Sequence, residues 1–306
     1  MRPEGLEPPR VTPQDPKSCA STSSATVACK LRFNLRRERS TGELGGRALL
    51  ASLVAAGIAC DSGATAARPA EVCLVTSGAP SPPPAPAHAA FRILVFSRTT
   101  GFRHASIPAA ITAIEVLGSL NDFAVEATED PVVFSDANLT RFAAVVFLNT
   151  TGDVLDSAQQ AAFERYVRAG HGFVGLHSAS DTEYDWAWYH ALLGATFDSH
   201  PAFQQASVIV VDTGQQSTRA LPNPWVRTDE WYNFRALPTG VSVLARVDEA
   251  TYAGGKMGVE HPITWQHAYD GGRAWYTAMG HTACSYSERP FLDHLLGGIM
   301  WAAGIP

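Results

Sequence analysis

Residues 142–148, Phe-Ala-Ala-Val-Val-Phe-Leu, are apolar at every position. A strand with no polar face suits the middle of a parallel sheet, where helices cover both sides and neither face meets water. The residues around it repeat the unit that such a sheet needs. Arg92–Phe96 reads as a short buried strand, and Ile107, Ala110, Ile111, Ile114 and Leu117 then recur at helical spacing and make one apolar face. Phe123–Val125 predicts a second strand, with residues 142–148 as the third. Asp156 followed three residues later by Gln159 is a capping-box pattern. It opens a helix with Phe163, Tyr166 and Val167 facing inward and Gly170 at its end. Strand and helix alternate three times, which predicts an α/β fold with a doubly wound, mainly parallel sheet.

After Gly194 the rhythm changes. Ser207–Val211, Val241–Ala245, Ile263–Trp265 and Arg273–Tyr276 read as strands joined by loops. They are expected as antiparallel additions to one edge, with long loops that form a site. A last helix is predicted from Pro290 to Ala303.

The folded unit is expected over residues 91–306, preceded by a leader (1–60) and a Pro, Ala and Ser-rich linker (61–90). Ala48–Ala59 is an apolar run of twelve residues behind Arg36, Arg37, Arg39 and Arg47, the length of a secretory signal core and too short to span a bilayer. Two cleavage readings stand: before Cys60, which would then carry a lipid anchor, or after Ala64-Thr65-Ala66. Either implies export, to the periplasm or to a membrane-anchored lipoprotein. Residues 1–59 hold nine of the 23 Lys and Arg and five of the 29 Asp and Glu, leaving 14 against 24, a net −10. A surface this acidic disfavours nucleic acid as a partner. Beyond Cys60 only Cys73 and Cys284 remain, too few for a disulfide framework or a cysteine zinc site. Nothing in the sequence sets an oligomeric state.

His177 is the strongest chemical lead. It follows Phe173-Val174-Gly175-Leu176 and precedes Ser178-Ala179-Ser180, so a buried strand delivers it to the carboxyl edge of the sheet, where open α/β folds bind ligands. Capping the next turn is the plainer alternative. Arg103 and His104 follow the first strand and reach the same edge. Three further groups carry polar and aromatic residues: His200-Pro201, Asp229-Glu230-Trp231-Tyr232, and His261-Pro262 and Trp265 together with Gly280-His281. The glycine-rich dinucleotide loop, the phosphate-binding loop, the Gly-x-Ser-x-Gly elbow and the His-Glu-x-x-His helix are all missing. No cofactor motif is present, and a divalent metal stays open through His and carboxylate ligands.

At these motifs the chain resembles the ThuA-like (trehalose utilisation) family, within the class I glutamine amidotransferase-like superfamily. The matching stretches are residues 100–107, 172–179, 229–232, 261–265, 271–277 and 280–282. The chain departs from the pattern at Asp212–Gln216. The resemblance implies an amidotransferase-like sheet with His177 where the nucleophilic cysteine would stand, and so no glutaminase activity. It implies acid/base chemistry of isomerase, lyase or hydrolase type on disaccharides or their 3-keto derivatives. His177, His281 and Glu230 are the expected catalytic groups. Arg103, His104, Asp229, Trp231, Tyr232, His261 and Trp265 are the expected sugar contacts. A divalent ion shared by His177, His200, Asp229, Glu230 and His281 is a second expectation. A noncatalytic carbohydrate-binding module at the cell surface is the rival, since Trp231 and Trp265 would serve it equally well.

Overall fold

The computed structural model describes Pro86 and residues 88–306. The expected leader, the lipid anchor expected at Cys60 and nearly all of the expected linker lie outside the described residues. No helix among the described residues is long and apolar enough to cross a membrane.

The first half follows the predicted alternation: β1 (Phe91–Phe96), α1 (Ile107–Leu120), β2 (Phe123–Thr128), the short α2 (Asp136–Leu139), β3 (Ala144–Leu148), α3 (Ser157–Arg168) and β4 (Gly172–Leu176). Asp156 caps α3 as a capping box, its side chain accepting from Ala158 and Gln159 while Gln159 returns a bond to the Asp156 amide. The second half holds α4 (Ala187–Leu193), β5 (Phe197–Ser199), β6 (Gln204–Val210), β7 (Trp225–Asp229), β8 (Asn233–Phe234), β9 (Ser242–Val247), β10 (Pro262–Tyr269), β11 (Gly272–Thr277) and α5 (Arg289–Ala303). Strands β5, β7 and β8 have no counterpart in the sequence reading. Each is at most five residues long and interrupted by polar residues.

Nine strands form one sheet in the order β2-β1-β3-β4-β11-β10-β9-β6-β7, and β5 pairs with β8 apart from it. Strands β2, β1, β3, β4 and β11 run parallel, and β10, β9, β6 and β7 continue antiparallel. The expectation for Arg273–Tyr276 is corrected here: β11 lies beside β4 and parallel to it, pairing Thr277 with Leu176. Its carboxyl end therefore opens on the same edge as β4.

Helices cover both faces. Phe163 of α3 and Tyr189 of α4 pack on Phe147, each with ring centroids 5.5 Å away. Register pairs Phe173 with Ala274 and Val174 with Trp275, so the Trp275 ring points to the opposite face. There it meets His294 of α5 at 4.8 Å. Gly298 makes that approach feasible, because a Cβ there would sit 2.5 Å from the Trp275 ring.

Flat-sheet spacing puts β7 about 19 Å from β11, four strand widths away. The Asp229 carboxylate at the end of β7 nevertheless lies 3.0 Å from the amide of Gly280, just beyond β11. The sheet must curl back on itself. Register shifts between β9 and β10 at Pro262, Thr264 and Trp265 mark where it bends.

His294 is fully buried, with Nδ1 2.7 Å from the Ser217 carbonyl and no partner for Nε2 among the described residues. Burial pulls its pKa down to about 4, helped by the charge of Arg227 and opposed by the Ser217 carbonyl. An unfolded chain takes up this proton near 6.5 while the folded chain does not, so stability falls as pH drops from 6.5 to 4 and levels off below. Over that window wild-type protein is expected to lose roughly 3 kcal/mol relative to His294→Gln, at about 1.4 kcal/mol per pH unit. Urea unfolding of both proteins at pH 7 and pH 4 measures it, and a pH-independent difference refutes the neutral buried imidazole.

Candidate active site at the carboxyl edge

β1, β4 and β11 end on one edge, and the chain places a histidine just past each of them. His177 follows β4 directly with φ +47°, a left-handed conformation that costs an L-residue roughly 1–3 kcal/mol. Several contacts hold it there. Its carbonyl accepts the Tyr276 hydroxyl at 2.8 Å and the Ser180 hydroxyl at 3.3 Å. Its Nδ1 lies 2.6 Å from the Ala278 carbonyl. A carbonyl only accepts, so Nδ1 carries a proton and Nε2 is the atom turned to the rest of the cluster.

That Nε2 sits 2.9 Å from the Tyr232 hydroxyl, 3.2 Å from His281 Nδ1 and 3.4 Å from Glu230 Oε2. Glu230 Oε2 is also 3.2 Å from His281 Nδ1, while its Oε1 faces His200 Nδ1 at 3.1 Å. His104 completes the group, its ring 4.7 Å from that of His177 and 5.2 Å from that of His281, with Nδ1 3.3 Å from the Ser178 hydroxyl. His104, His177, Glu230 and His281 each offer one ligand atom, and these four atoms lie within 4.8 Å of one another. Three imidazole nitrogens and one carboxylate oxygen suit zinc or a neighbouring transition ion. The Ala278 carbonyl behind His177 and the Ser178 hydroxyl behind His104 are the outer partners that orient metal-binding imidazoles.

Protonation differs sharply among the four. Burial, reinforced by the charges of His177 and His281, pushes His104 down to about 2. Burial lowers His281 too, but the hydrogen bond and charge of Glu230 outweigh it and raise the ring. For Glu230, burial raises the carboxyl, and hydrogen bonds from His177 and His281 more than reverse this, holding it far below the usual carboxylate range. Burial, with the Glu230 charge added, pushes the Tyr232 phenol well up, so it stays a proton donor.

The other expected residues fall outside the cluster. Asp229 is fully buried and saturated: Oδ1 accepts the amides of Glu230 (2.9 Å) and His281 (3.1 Å), and Oδ2 accepts that of Gly280 (3.0 Å) and pairs with Arg227 Nη2 (3.0 Å). It builds the site and has no oxygen left for a sugar or an ion. Trp231 and Trp265 are 1% and 0% exposed, their indole nitrogens bound to the carbonyls of Gln204 and Leu193. Neither ring has a face open to a ligand, because both fill the apolar interior. Arg103 turns away to Glu129 at 2.6 Å. His261 joins a separate buried network, Nδ1 2.7 Å from Glu249 and Nε2 2.8 Å from the Tyr232 carbonyl, and so steadies the segment carrying Tyr232. His200 is 40% exposed at the outer side of Glu230.

Sequence reasoning left His104 out of the ion-binding set and overlooked Arg227. Arg227 and Asp229 are two apart on a strand and so share its inward face, a spacing that could have revealed the pair.

The protein is thus an α/β protein with a three-histidine, one-carboxylate cluster at the carboxyl edge of its parallel strands. The model of the ThuA family, trehalose utilisation, matches residues 92–302, and the chain belongs to that family. Among solved structures, it is similar to a putative ThuA-like protein from Bacteroides uniformis, at 24% identity and TM-score 0.61, over 72% of this chain and 94% of that one. One from Parabacteroides merdae gives 18% identity and TM-score 0.59, over 70% and 91%. A cytoplasmic protein of Salmonella typhimurium gives 11% and 0.53, over 69% and 99%. At such identities the likeness is one of fold. No curated protein sequence matches the chain.

Because Asp229 ties the Glu230 and His281 segments together, Asp229→Asn should destabilise the protein by about 3 kcal/mol or more, the usual cost of breaking a buried ion pair from one side. Urea denaturation reads this directly. Wild-type stability in the variant would show that the carboxylate is not the clamp.

Proposed function

We propose that the protein holds a divalent transition ion between His104, His177, Glu230 and His281, and performs acid/base chemistry on a disaccharide or its 3-keto derivative. The observation behind this reading is the convergence of four ligand atoms, one from each residue, at the edge where such folds bind ligands. The sugar rests on the family, whose description is trehalose utilisation. When bound, such an ion polarises a carbonyl or acidifies water.

The chain's own groups supply the rest. His177, locked by Ala278, presents Nε2 in one direction. Tyr232 keeps its proton beside that nitrogen, and with Nε2 on an ion its hydroxyl would donate to a ligand oxygen instead. Glu230 spans the site, one oxygen facing the inner imidazoles and the other facing His200, which is open enough to exchange protons with water. A keto group at C3 of a sugar acidifies the neighbouring C–H, so isomerisation or elimination needs one base and one acid in register. Export belongs to the same reading. It rests on the apolar leader segment, and Cys284, which is disulfide-bonded, suits an oxidising compartment. The rival binding module relied on Trp231 and Trp265 as platforms, and both are buried.

Elemental analysis of purified protein should find one ion per chain, lost in His177→Ala and in His281→Ala. Turnover of 3-keto trehalose should fall roughly 10²- to 10⁴-fold in His177→Ala and cease in chelator. Full activity in the variant and in chelator would reject both the ion and the role of His177.

A further inference from the structure

Two aromatic side chains border the cluster and belong to no packed layer. Phe102 is 66% exposed and Phe203 is 46% exposed, and they are the only aromatic residues among the exposed large hydrophobic side chains of the described region. Scattered exposed apolar residues are ordinary and call for no explanation. These two are not scattered. The Phe102 ring stands edge-on to His104, with centroids 4.8 Å apart and planes at 82°, and the Phe203 ring lies 5.8 Å from His281. His104 and His281 are neighbours at 5.2 Å, so each phenylalanine flanks one member of the same imidazole pair. Phe102 comes from the loop after β1 and Phe203 from the stretch between β5 and β6. Two segments distant in sequence thus bring bare aromatic rings to one opening.

We infer that Phe102 and Phe203 form the ring-binding walls of this site and select a ring-closed glycoside. A pyranose carries axial C–H groups on its faces and hydroxyls around its rim. Phenyl rings can cover the C–H face without competing for hydroxyls. An open-chain polyol has no such face. The inference rests on the proposed sugar-processing reading and specifies its substrate class.

Calorimetric titration of the full, metal-loaded chain with trehalose and sorbitol tests it. Wild-type protein should bind trehalose in preference to sorbitol. Phe102→Ala and Phe203→Ala should each weaken trehalose binding roughly three- to tenfold, with metal content unchanged and affinity restored in Phe102→Tyr and Phe203→Tyr. With 3-keto trehalose the alanine variants should raise KM and leave kcat within about twofold, the signature of lost ground-state binding. Trehalose affinity unchanged in both alanine variants, or equal binding of sorbitol, overturns the inference. Wild-type protein that holds its ion but binds no trehalose also overturns it, while leaving the metal centre standing. Trehalose binding that depends on the phenylalanines in a protein without any ion supports the inference and removes the metal reading instead.

Discussion

The buried carboxylate of Asp229 is the interaction on which the site depends. It accepts three backbone amides and one guanidinium, and these donors come from the edge strand β7 and from the loop after the central strand β11. Removing a carboxylate from water is costly unless its lone pairs are satisfied, and here four donors satisfy them. Arg227, the charged donor, is itself sandwiched at 4.6 Å from the Trp225 ring and 4.7 Å from the Phe291 ring, and reaches Glu288 at 3.3 Å and Ser285 at 2.9 Å. One ion pair therefore links β7, the loop after β11 and the start of α5. Glu230 and His281, each next to a bonded amide, inherit their positions from it.

Strand direction supplies the other half of the geometry. Parallel β11 beside β4 sets Ala278 next to His177, so the bond that fixes the His177 ring is a direct consequence of register. An antiparallel β11 would carry Gly280 and His281 to the far edge. Past β11 the strands alternate, and β7 points toward the site edge again. Curling then closes a distance that a flat sheet would leave open.

The alternating half of the fold is legible in the sequence because periodicity and capping act locally: Asp156 and Gln159 announce α3, and residues 142–148 announce a strand covered on both sides. What stays hidden is long-range. Whether β11 joins β4 or an outer strand is decided by pairing across about a hundred residues, which no local pattern encodes. His104, His177, Glu230 and His281 were each visible as candidates, His177 because it ends a short apolar strand and the others because they sit in short polar and aromatic motifs. Their grouping in one site was expected from the family resemblance and not from any local pattern, because it depends on the Asp229 contacts and on the curl. Trp231 and Trp265 misled for a related reason. An aromatic beside a carboxylate reads the same whether its ring faces solvent or the core, and only the bonds of their indole nitrogens to buried carbonyls show which.

Three imidazoles and one carboxylate in so small a volume pose an electrostatic problem that protons solve poorly. Protonating one ring disfavours protonating the next, and burial penalises each charge. The result is uneven, with His104 driven down to about 2 while His281 is raised beside Glu230. A mostly buried cluster with one carboxylate accommodates one proton well and a second badly. A single divalent ion would engage all four groups at once, using lone pairs that neutral imidazoles already present and the charge that Glu230 already carries. The carbonyl behind His177 and the hydroxyl behind His104 aim those rings whether or not an ion is bound. The proposed chemistry therefore follows from an arrangement that is preorganised by hydrogen bonds reaching well behind the reacting groups.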